Sequence, residues 1–225
     1  MPRALLLVNA DDLGYDPAID RGILEAHARG LVTSATAMVE TPFAERALAE
    51  APPSLDLGLH AVVPAAAGAA EVEDLLAAQL ARFRTLRGAP PTHLDSHKHA
   101  HLAPGALPAF ARAARREGIP LRALDGAQRA RLAAEGVLVA DAFLGDAALR
   151  PCWTEARLLA ALAALPAGRV ELMCHPGHAP THARTSFAAE REVELGALCS
   201  GAARRALEAA GAALAGFAEA FRGGP

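Results

Sequence analysis

The chain has 225 residues, of which 52% are hydrophobic and 21% are charged, a composition that supplies a sizeable core and excludes wholesale disorder. Its net charge is −3 and the pattern shows no basic face, which argues against nucleic acid or an anionic membrane as a partner. The three cysteines are scattered without a CxxC pair, which argues against a disulfide framework or a thiolate metal site. The first apolar run, Ala4–Val8, is too short for a signal sequence or a membrane span, so we expect a cytoplasmic protein.

Short apolar runs alternate with amphipathic segments along the whole chain. The runs predict strands at Ala4–Val8, Leu31–Val39, Leu55–His60, Thr92–Ser96, Leu121–Leu124, Gly136–Val139 and Arg169–Cys174. The amphipathic segments predict helices at Pro17–Arg29, Pro42–Ala51, Val72–Leu86, Leu107–Glu117, Ala127–Ala134, Thr154–Leu165, Glu190–Cys199 and Ala202–Ala213. This alternation has no break in composition, so it predicts a single α/β domain over residues 1–225, either a parallel barrel or a doubly wound sheet.

The sequence contains nine histidines but a single lysine, Lys98, to which we assign no role. A nucleotide-composition bias accounts for the excess of arginine and alanine, but it does not account for the histidines. Because the carboxyl ends of parallel strands meet at one mouth of the fold, polar side chains at those ends are expected to converge. The predicted strand ends that carry such side chains are Asp11 with Asp12, His60, Asp95 with His97, and His175.

Asp11 and Asp12 follow the first buried strand. Adjacent side chains leaving a strand point in different directions, so one carboxylate can bind a cation while the other faces the substrate as a base. The alternative is an acidic turn that caps the next helix. The position of the pair opposite three other polar strand ends favours the functional interpretation, although the residues alone do not divide the two roles between them.

The segment THLDSHKHAH carries the most specific signal. The residues that would share one face of an extended strand here are His93, Asp95, His97, His99 and His101. A single cation cannot bind five groups over that length, so we expect the strand to end near Ser96 and His97 to be a ligand. Asp95, His99 and His101 are then expected to support the site or to contact the substrate. The alternative is an exposed histidine-rich loop with adventitious metal affinity.

His60 and His175 are weaker signals when each is taken alone. His60 ends a strand in which Gly58 lets a backbone or a ligand approach closely, and a histidine there is more often structural. His175 ends an apolar run and is followed by Pro-Gly, which turns the chain away and exposes the imidazole for proton transfer near neutral pH. Its alternative role is to cap that turn.

One aspartate and two histidines, with positions left open, suit a divalent metal ion that activates water. The sequence has no Gly-rich phosphate loop, no GxSxG elbow and no HExxH helix, and it offers no constellation for covalent catalysis by serine or cysteine. Metal-dependent hydrolysis is therefore the chemistry that these residues favour.

A series of motifs in the same order resembles the YdjC/ChbG carbohydrate deacetylases, from about residue 4 to residue 200. The family includes chitooligosaccharide deacetylases and proteins associated with hopanoid biosynthesis. The segments that carry the resemblance are Leu7–Gly14, Gly22–His27, Gly30–Thr36, Gly58–His60, Pro91–His101, Glu171–Pro176 and Arg191–Leu195.

The resemblance implies a distorted (β/α) barrel, similar to a TIM barrel, and metal-dependent removal of an N-acetyl group from an amino sugar or a related glycan or glycolipid. It implies that Asp12, His60 and His97 bind the metal, that Asp11 is the general base and that His175 is the general acid. The expected cofactor is one divalent ion, Mg²⁺ or Zn²⁺, and the expected partner is a small N-acetylated sugar. The resemblance and the general frequency of dimers together favour a homodimer.

The sequence departs from the family after His60, where an alanine-rich stretch leads directly into the next helix. We expect a shortened substrate-covering loop, so the family's preferences for sugar and chain length do not carry over. One other open function is a metal-dependent phosphoesterase, in which Arg122 at a predicted strand end would contact or support the substrate. Another is a catalytically silent protein that binds metal or carbohydrate. The lack of an Arg/Lys cluster disfavours the first, and the presence of Asp11 and His175 disfavours the second.

Overall fold

The computed structural model describes residues 4–64, 66–145 and 152–222. The β-strands are β1 (Ala4–Leu13), β2 (Ser34–Ala37), β3 (Asp56–Ala61), β4 (Leu94–Ser96), β5 (Ala142–Leu144), β6 (Gly168–Cys174) and β7 (Ala212–Leu214). The α-helices are α1 (Pro17–Arg29), α2 (Ala44–Glu50), α3 (Ala69–Arg87), α4 (Leu107–Glu117), α5 (Gly126–Ala134), α6 (Glu155–Ala163), α7 (Ala189–Leu198), α8 (Gly201–Ala209) and α9 (Phe217–Ala220). A 3-10 helix covers His97–Leu102.

The strands form one parallel sheet in the order β4-β3-β2-β1-β6-β5, and β7 pairs with the first residues of β1. The sheet curls into a half-barrel, which confirms the predicted distorted barrel of parallel strands. Within the described ranges, its regular strands do not close into the eight-stranded ring of a TIM barrel. Leu6, Val8 and Ala10 of the central strand β1 are fully buried, as expected for a strand covered on both faces.

Two of the predicted strands are wrong, and both lie where the half-barrel is irregular. The segment Leu121–Leu124 contributes a single bridge, from Leu121 to Leu94. Gly136–Val139 is not a strand, and the chain becomes regular only at β5. Pro120, just before the first segment, has no N–H to donate to a ladder, and Gly136, which begins the second, has a φ of +75°, so both segments adjoin or contain a residue that disfavours regular pairing.

The last predicted helix is also longer than the helix that forms. Residues Ala202–Ala213 were expected to be continuous, but α8 ends at Ala209 and β7 begins at Ala212. Gly211 adopts a left-handed φ of +64° between them, which glycine tolerates and which ends a helix. In contrast, Gly88 and Gly118 end α3 and α4 in the left-handed conformation, as their positions in the sequence predict.

β3 ends at Ala61 and α3 begins at Ala69, and the shortened covering loop expected after His60 stays a prediction. Val62 is bonded through both its N–H and its carbonyl group to the side chain of Gln79 in α3. The first residues beyond β3 are therefore tied to the barrel wall rather than to the mouth. Among the described helices, none combines the length and the apolar character that a bilayer crossing requires.

Candidate metal centre and active site

The structure brings the polar strand ends together at the carboxyl edge of the sheet. Asp11 and Asp12 lie in the last part of β1 and His60 lies in β3, while His97 and His175 directly follow β4 and β6. Four of these five residues are buried, and the His97 side chain is 26% exposed. This edge is where parallel α/β folds place their ligand sites.

A local irregularity of β1 separates the two adjacent carboxylates. The register with β2 shifts between Ala10 and Leu13, and Asp12 has a φ of +74°, a conformation that is uncommon for residues other than glycine. As a result, Asp11 pairs with Arg122 while Asp12 pairs with Arg191. The two carboxylates therefore have separate environments, as different roles require.

Asp12, His60 and His97 form a group whose ligand atoms all lie within 4.8 Å of one another. Asp12 Oδ1 is 3.4 Å from His60 Nε2 and 3.3 Å from His97 Nδ1. This oxygen is buried and has no hydrogen-bond partner among the described residues. A buried carboxylate oxygen without a donor is costly, and a cation placed among these three atoms would satisfy it.

The surroundings of His60 favour a cation at its Nε2 atom. Its Nδ1 lies 2.7 Å from Asp95 Oδ1, so the ring donates to Asp95 and directs Nε2 toward Asp12, the arrangement of a carboxylate that orients a metal-binding histidine. Burial lowers the pKa of His60, but the carboxylates of Asp95 and Asp12 outweigh that effect and raise it to about 10. In the absence of a metal the ring keeps a proton, which a divalent cation can replace.

A second group, Asp11, His60 and Asp95, also brings its ligand atoms within 4.8 Å. Its oxygens are already bonded, however, because Arg122 contacts Asp11 and Asp95 at 2.6 Å and 2.7 Å. The guanidinium already supplies the positive charge that a cation would bring to these carboxylates. The donor set of Asp12 with the two histidines is therefore the better metal centre.

Asp11 is held in one orientation by several donors. The two terminal nitrogens of Arg122 donate to its two oxygens at 2.6 Å and 2.7 Å, and Asn9 Nδ2 donates to Oδ1 at 2.8 Å. Burial alone raises the pKa of Asp11, but the Arg122 guanidinium holds that pKa well below its usual range. The side chain is thus a fixed carboxylate that stays ionised at neutral pH.

His175 lies on the other side of Asp11, with Nε2 3.8 Å from Asp11 Oδ2. Its backbone N–H donates to Glu194 Oε2 at 2.6 Å, and its ring packs against Phe187 with centroids 5.5 Å apart. Burial lowers the pKa of His175 to about 4, although Asp11 and Asp12 oppose that shift. The imidazole is therefore neutral at pH 7 and can accept a proton before it donates one.

The four predicted supporting residues lie behind or beside these groups. Arg122 is fully buried and bridges Asp11, Asp95 and Glu171. His101 is buried between Ser96 Oγ and the carbonyl of Arg122, so it supports the wall. His99 is mostly buried, its Nδ1 has no partner among the described residues, and burial lowers its pKa to about 3.

A cavity of about 130 Å³ opens onto this centre. Its buried side includes Asp12, His175 and Arg191, and its outer side includes Tyr15, His97, Lys98 and residues 184–186. Lys98, to which the sequence assigned no role, is therefore part of the rim. The backbone of Lys98 has a φ of +54°, and that of His99 has a φ of +53°. Backbone strain is therefore concentrated at the mouth of the cavity.

Asp16 fixes the loop that covers the outer side of the cavity. As the N-cap of α1 it accepts the N–H of Ala18, and its Oδ2 also accepts the backbone N–H groups of Thr181, His182 and Ala183 at 3.0, 2.6 and 2.9 Å. One buried carboxylate thereby joins the first helix to the segment after His175.

Sequence reasoning missed several residues that shape the site, including Asn9, Arg191 and Glu194. Arg191 and Glu194 have a visible signal in the spacing of α7, because they share a face with Leu195 and Leu198, and all four side chains are buried. Charged residues in register with the apolar positions of a helix indicate buried ionic contacts. Gly58 does allow a close approach, but by the His93 ring, which a Cβ atom there would meet at 2.7 Å.

Fold and site together define a parallel α/β barrel protein with an Asp-His-His centre at the carboxyl ends of its strands. The chain matches the family of YdjC-like proteins over residues 5–69 and 61–209, and it belongs to that family. It is 35% identical to a carbohydrate deacetylase of Geobacillus stearothermophilus, over 88% of this chain and 90% of that protein. It is 34% identical to a chitooligosaccharide deacetylase of Serratia marcescens, over 95% and 98% of the two chains.

A solved structure shares the fold closely. It is a protein of Enterococcus faecalis proposed to be a cellobiose-phosphate cleavage protein, with a TM-score of 0.85, 26% identity and coverage of 97% of this chain and 99% of that one. The similarity spans the whole half-barrel, including the strands whose ends carry the site.

Proposed function

We propose that the protein is a metal-dependent N-deacetylase that removes the acetyl group from an amino sugar or a related glycan or glycolipid. Relatives named as carbohydrate and chitooligosaccharide deacetylases support the reaction class. The observation that carries the proposal is the buried Asp12 Oδ1, which makes no hydrogen bond within the described part of the chain and faces two imidazole nitrogens beside a cavity. An ionised carboxylate and a neutral histidine stand beside it, as hydrolysis of an amide requires.

The donor set of one carboxylate oxygen and two imidazole nitrogens fits a divalent cation held by Asp12, His60 and His97. Imidazole ligands suit Zn²⁺, whereas Mg²⁺ prefers oxygen ligands, so of the two ions expected from the sequence we propose Zn²⁺ first. When bound, the cation would supply Lewis-acid polarisation of the amide carbonyl and of a water molecule.

The protein's own residues would move the proton. Asp11 is ionised and rigidly oriented, so it directs the attacking water and accepts a proton from it. Asp11 holds that proton only transiently, because Arg122 keeps the basicity of Asp11 low. His175 Nε2 lies 3.8 Å from Asp11 and is neutral at pH 7, so it can take up that proton. His175 then donates the proton to the leaving nitrogen, which would otherwise depart as a poor leaving group. Acetate and a free amine result.

The phosphoesterase alternative loses its main support in the environment of Arg122. That side chain is buried and bonded to three carboxylates, Asp11, Asp95 and Glu171, so its charge is already neutralised inside the protein rather than offered to a phosphate. A silent binding protein is disfavoured because His175 lines the cavity beside the proposed metal ligands Asp12 and His97, and Asp11 lies directly behind it, 3.8 Å from His175 Nε2. The single domain over residues 1–225, the cytoplasmic location and the homodimer stay predictions.

The test is acetate release from N-acetylglucosamine, its oligosaccharides and N-acetylated glycolipid analogues, with Zn²⁺, Mg²⁺, Mn²⁺ and Co²⁺ compared. We expect Asp11→Asn to abolish turnover while metal stays bound, and His60→Ala or His97→Ala to remove the metal. Elemental analysis of each purified variant separates the two effects, and His27→Ala, on α1, is the matched control. If the wild type released no acetate from any substrate of the panel, the proposal would be overturned. Full activity of Asp11→Asn would overturn the assignment of Asp11 as the base.

A further inference from the structure

Arg191 is among the largest fully buried side chains of the described residues, and within them two of its three nitrogen groups are bonded. Nη2 donates to Asp12 Oδ2 at 2.5 Å, and Nε donates to the carbonyl of Phe187 at 2.9 Å. Nη1 is also buried and has no partner among the residues that the structure describes. A charged donor in the interior is normally paired, so an acceptor from outside the chain is the simplest partner for Nη1.

The cavity that would admit such an acceptor has Arg191 in its wall. The side chain lines the cavity next to Asp12, His97 and His175. The cavity volume of about 130 Å³ exceeds the roughly 30 Å³ that one water occupies, so a small acyl group fits. Two bonds fix the guanidinium plane, so Nη1 is already oriented before a ligand binds, as a donor for a developing negative charge must be.

We propose that Arg191 Nη1 donates a hydrogen bond to the acyl oxygen of the substrate, which makes Arg191 a catalytic residue. This inference rests on the proposed deacetylase function and adds a residue to it. In the reaction, the oxygen of water bonds to the acyl carbon and the carbonyl electron pair moves onto the acyl oxygen. That pair then reforms the double bond as the C–N bond breaks and the nitrogen receives a proton. Nη1 stabilises the charge on the acyl oxygen between these two events.

The competing explanation is that Arg191 only holds Asp12 in place, and the experiment must separate the two. Arg191→Lys keeps one cationic donor for Asp12 but loses the second N–H group. Arg204→Lys is the matched control, because Arg204 also donates to a backbone carbonyl, that of Gly30, and lies outside the cavity.

For each variant we would measure Zn²⁺ content, kcat and KM at saturating Zn²⁺, and the affinity for acetate by calorimetric titration of the Zn²⁺-loaded protein. We expect Arg191→Lys to keep its Zn²⁺, to lose about 100-fold in kcat and to bind acetate about tenfold more weakly. A kcat that returns to the wild-type value at saturating Zn²⁺, or an unchanged acetate affinity, would overturn the inference. If the wild type releases no acetate from any sugar, the proposed function fails, and the acetate titration then decides the role of Arg191 separately.

Discussion

Replacing Arg122 by methionine removes the cation that neutralises the interior of the site. The guanidinium is buried and contacts Asp11 at 2.6 Å, Asp95 at 2.7 Å and Glu171 at 2.6 Å. Methionine is unbranched and apolar but shorter and uncharged, so the three carboxyl groups would lose their shared counter-ion, although Asp95 would keep its contact with His60. Breaking a buried ion pair by removing one partner costs about 3–5 kcal/mol, a large share of the roughly 5–15 kcal/mol that stabilises a typical domain.

The sign of the pH dependence follows from Asp11. Arg122 holds the pKa of Asp11 below its unfolded value, so in the wild type this group contributes stability that is present above the unfolded pKa and is lost as the pH falls. Without Arg122, we expect burial to outweigh the remaining His60 and His175 contacts and to raise the pKa of Asp11 above its unfolded value, so ionisation then favours the unfolded chain as the pH rises. The stability difference between wild type and variant therefore widens from pH 5 to pH 8.

Urea unfolding followed by circular dichroism at pH 5, 6.5 and 8 measures both effects. With a slope of about 2–3 kcal/mol per molar urea, the expected loss moves the midpoint down by about 1–2 M. Arg131→Met is the matched control, because Arg131 forms an exposed pair with Glu135 whose loss costs less than about 1 kcal/mol. A loss in Arg122→Met as small as that of the control, or a loss that shrinks as the pH rises, would refute the reasoning.

The other predictions concern the covering loop, the close packing behind the site and the metal. Asp16→Ala removes the acceptor of three loop N–H groups, so we expect faster tryptic cleavage after Arg184 and a raised KM; an unchanged cleavage rate would contradict this. Gly58→Ala places a Cβ against the ring of His93 and should cost about 1–3 kcal/mol, measured by urea unfolding beside Gly196→Ala, where the Cβ meets no atom. The pKa of His60 is about 10 without metal, so Zn²⁺ must displace a proton and its affinity should rise up to tenfold per pH unit between pH 6 and 8. A Zn²⁺ affinity independent of pH would show that His60 holds no proton for the metal to displace, and would contradict its raised pKa.

The regular part of the barrel could be predicted because its signals are local. The apolar run that begins β1 and the glycines that end α3 and α4 act through neighbouring residues, and they lie where the sequence places them. The failures at Leu121–Leu124 and at Gly136–Val139 occur where strand formation depends on a partner across the sheet. The sequence of an apolar tetrapeptide does not show whether a neighbouring strand can form a continuous hydrogen-bond ladder with it. Here Leu121 forms an isolated bridge with Leu94.

The sequence by itself determined which residue types stand at the strand ends, and the rule that parallel strands share a carboxyl edge was enough to bring Asp11, Asp12 and three histidines to one mouth. It did not determine which partner each carboxylate takes. Arg122 reaches Asp11 across 111 residues and Arg191 reaches Asp12 across 179, and such ion pairs leave no periodic trace in a sequence. Only the tertiary structure decided that Arg122 bonds both oxygens of Asp11, whereas Arg191 bonds one oxygen of Asp12 and the other makes no hydrogen bond with the described residues. The physical reason is that the partners of a buried carboxylate come from residues that are distant in the sequence.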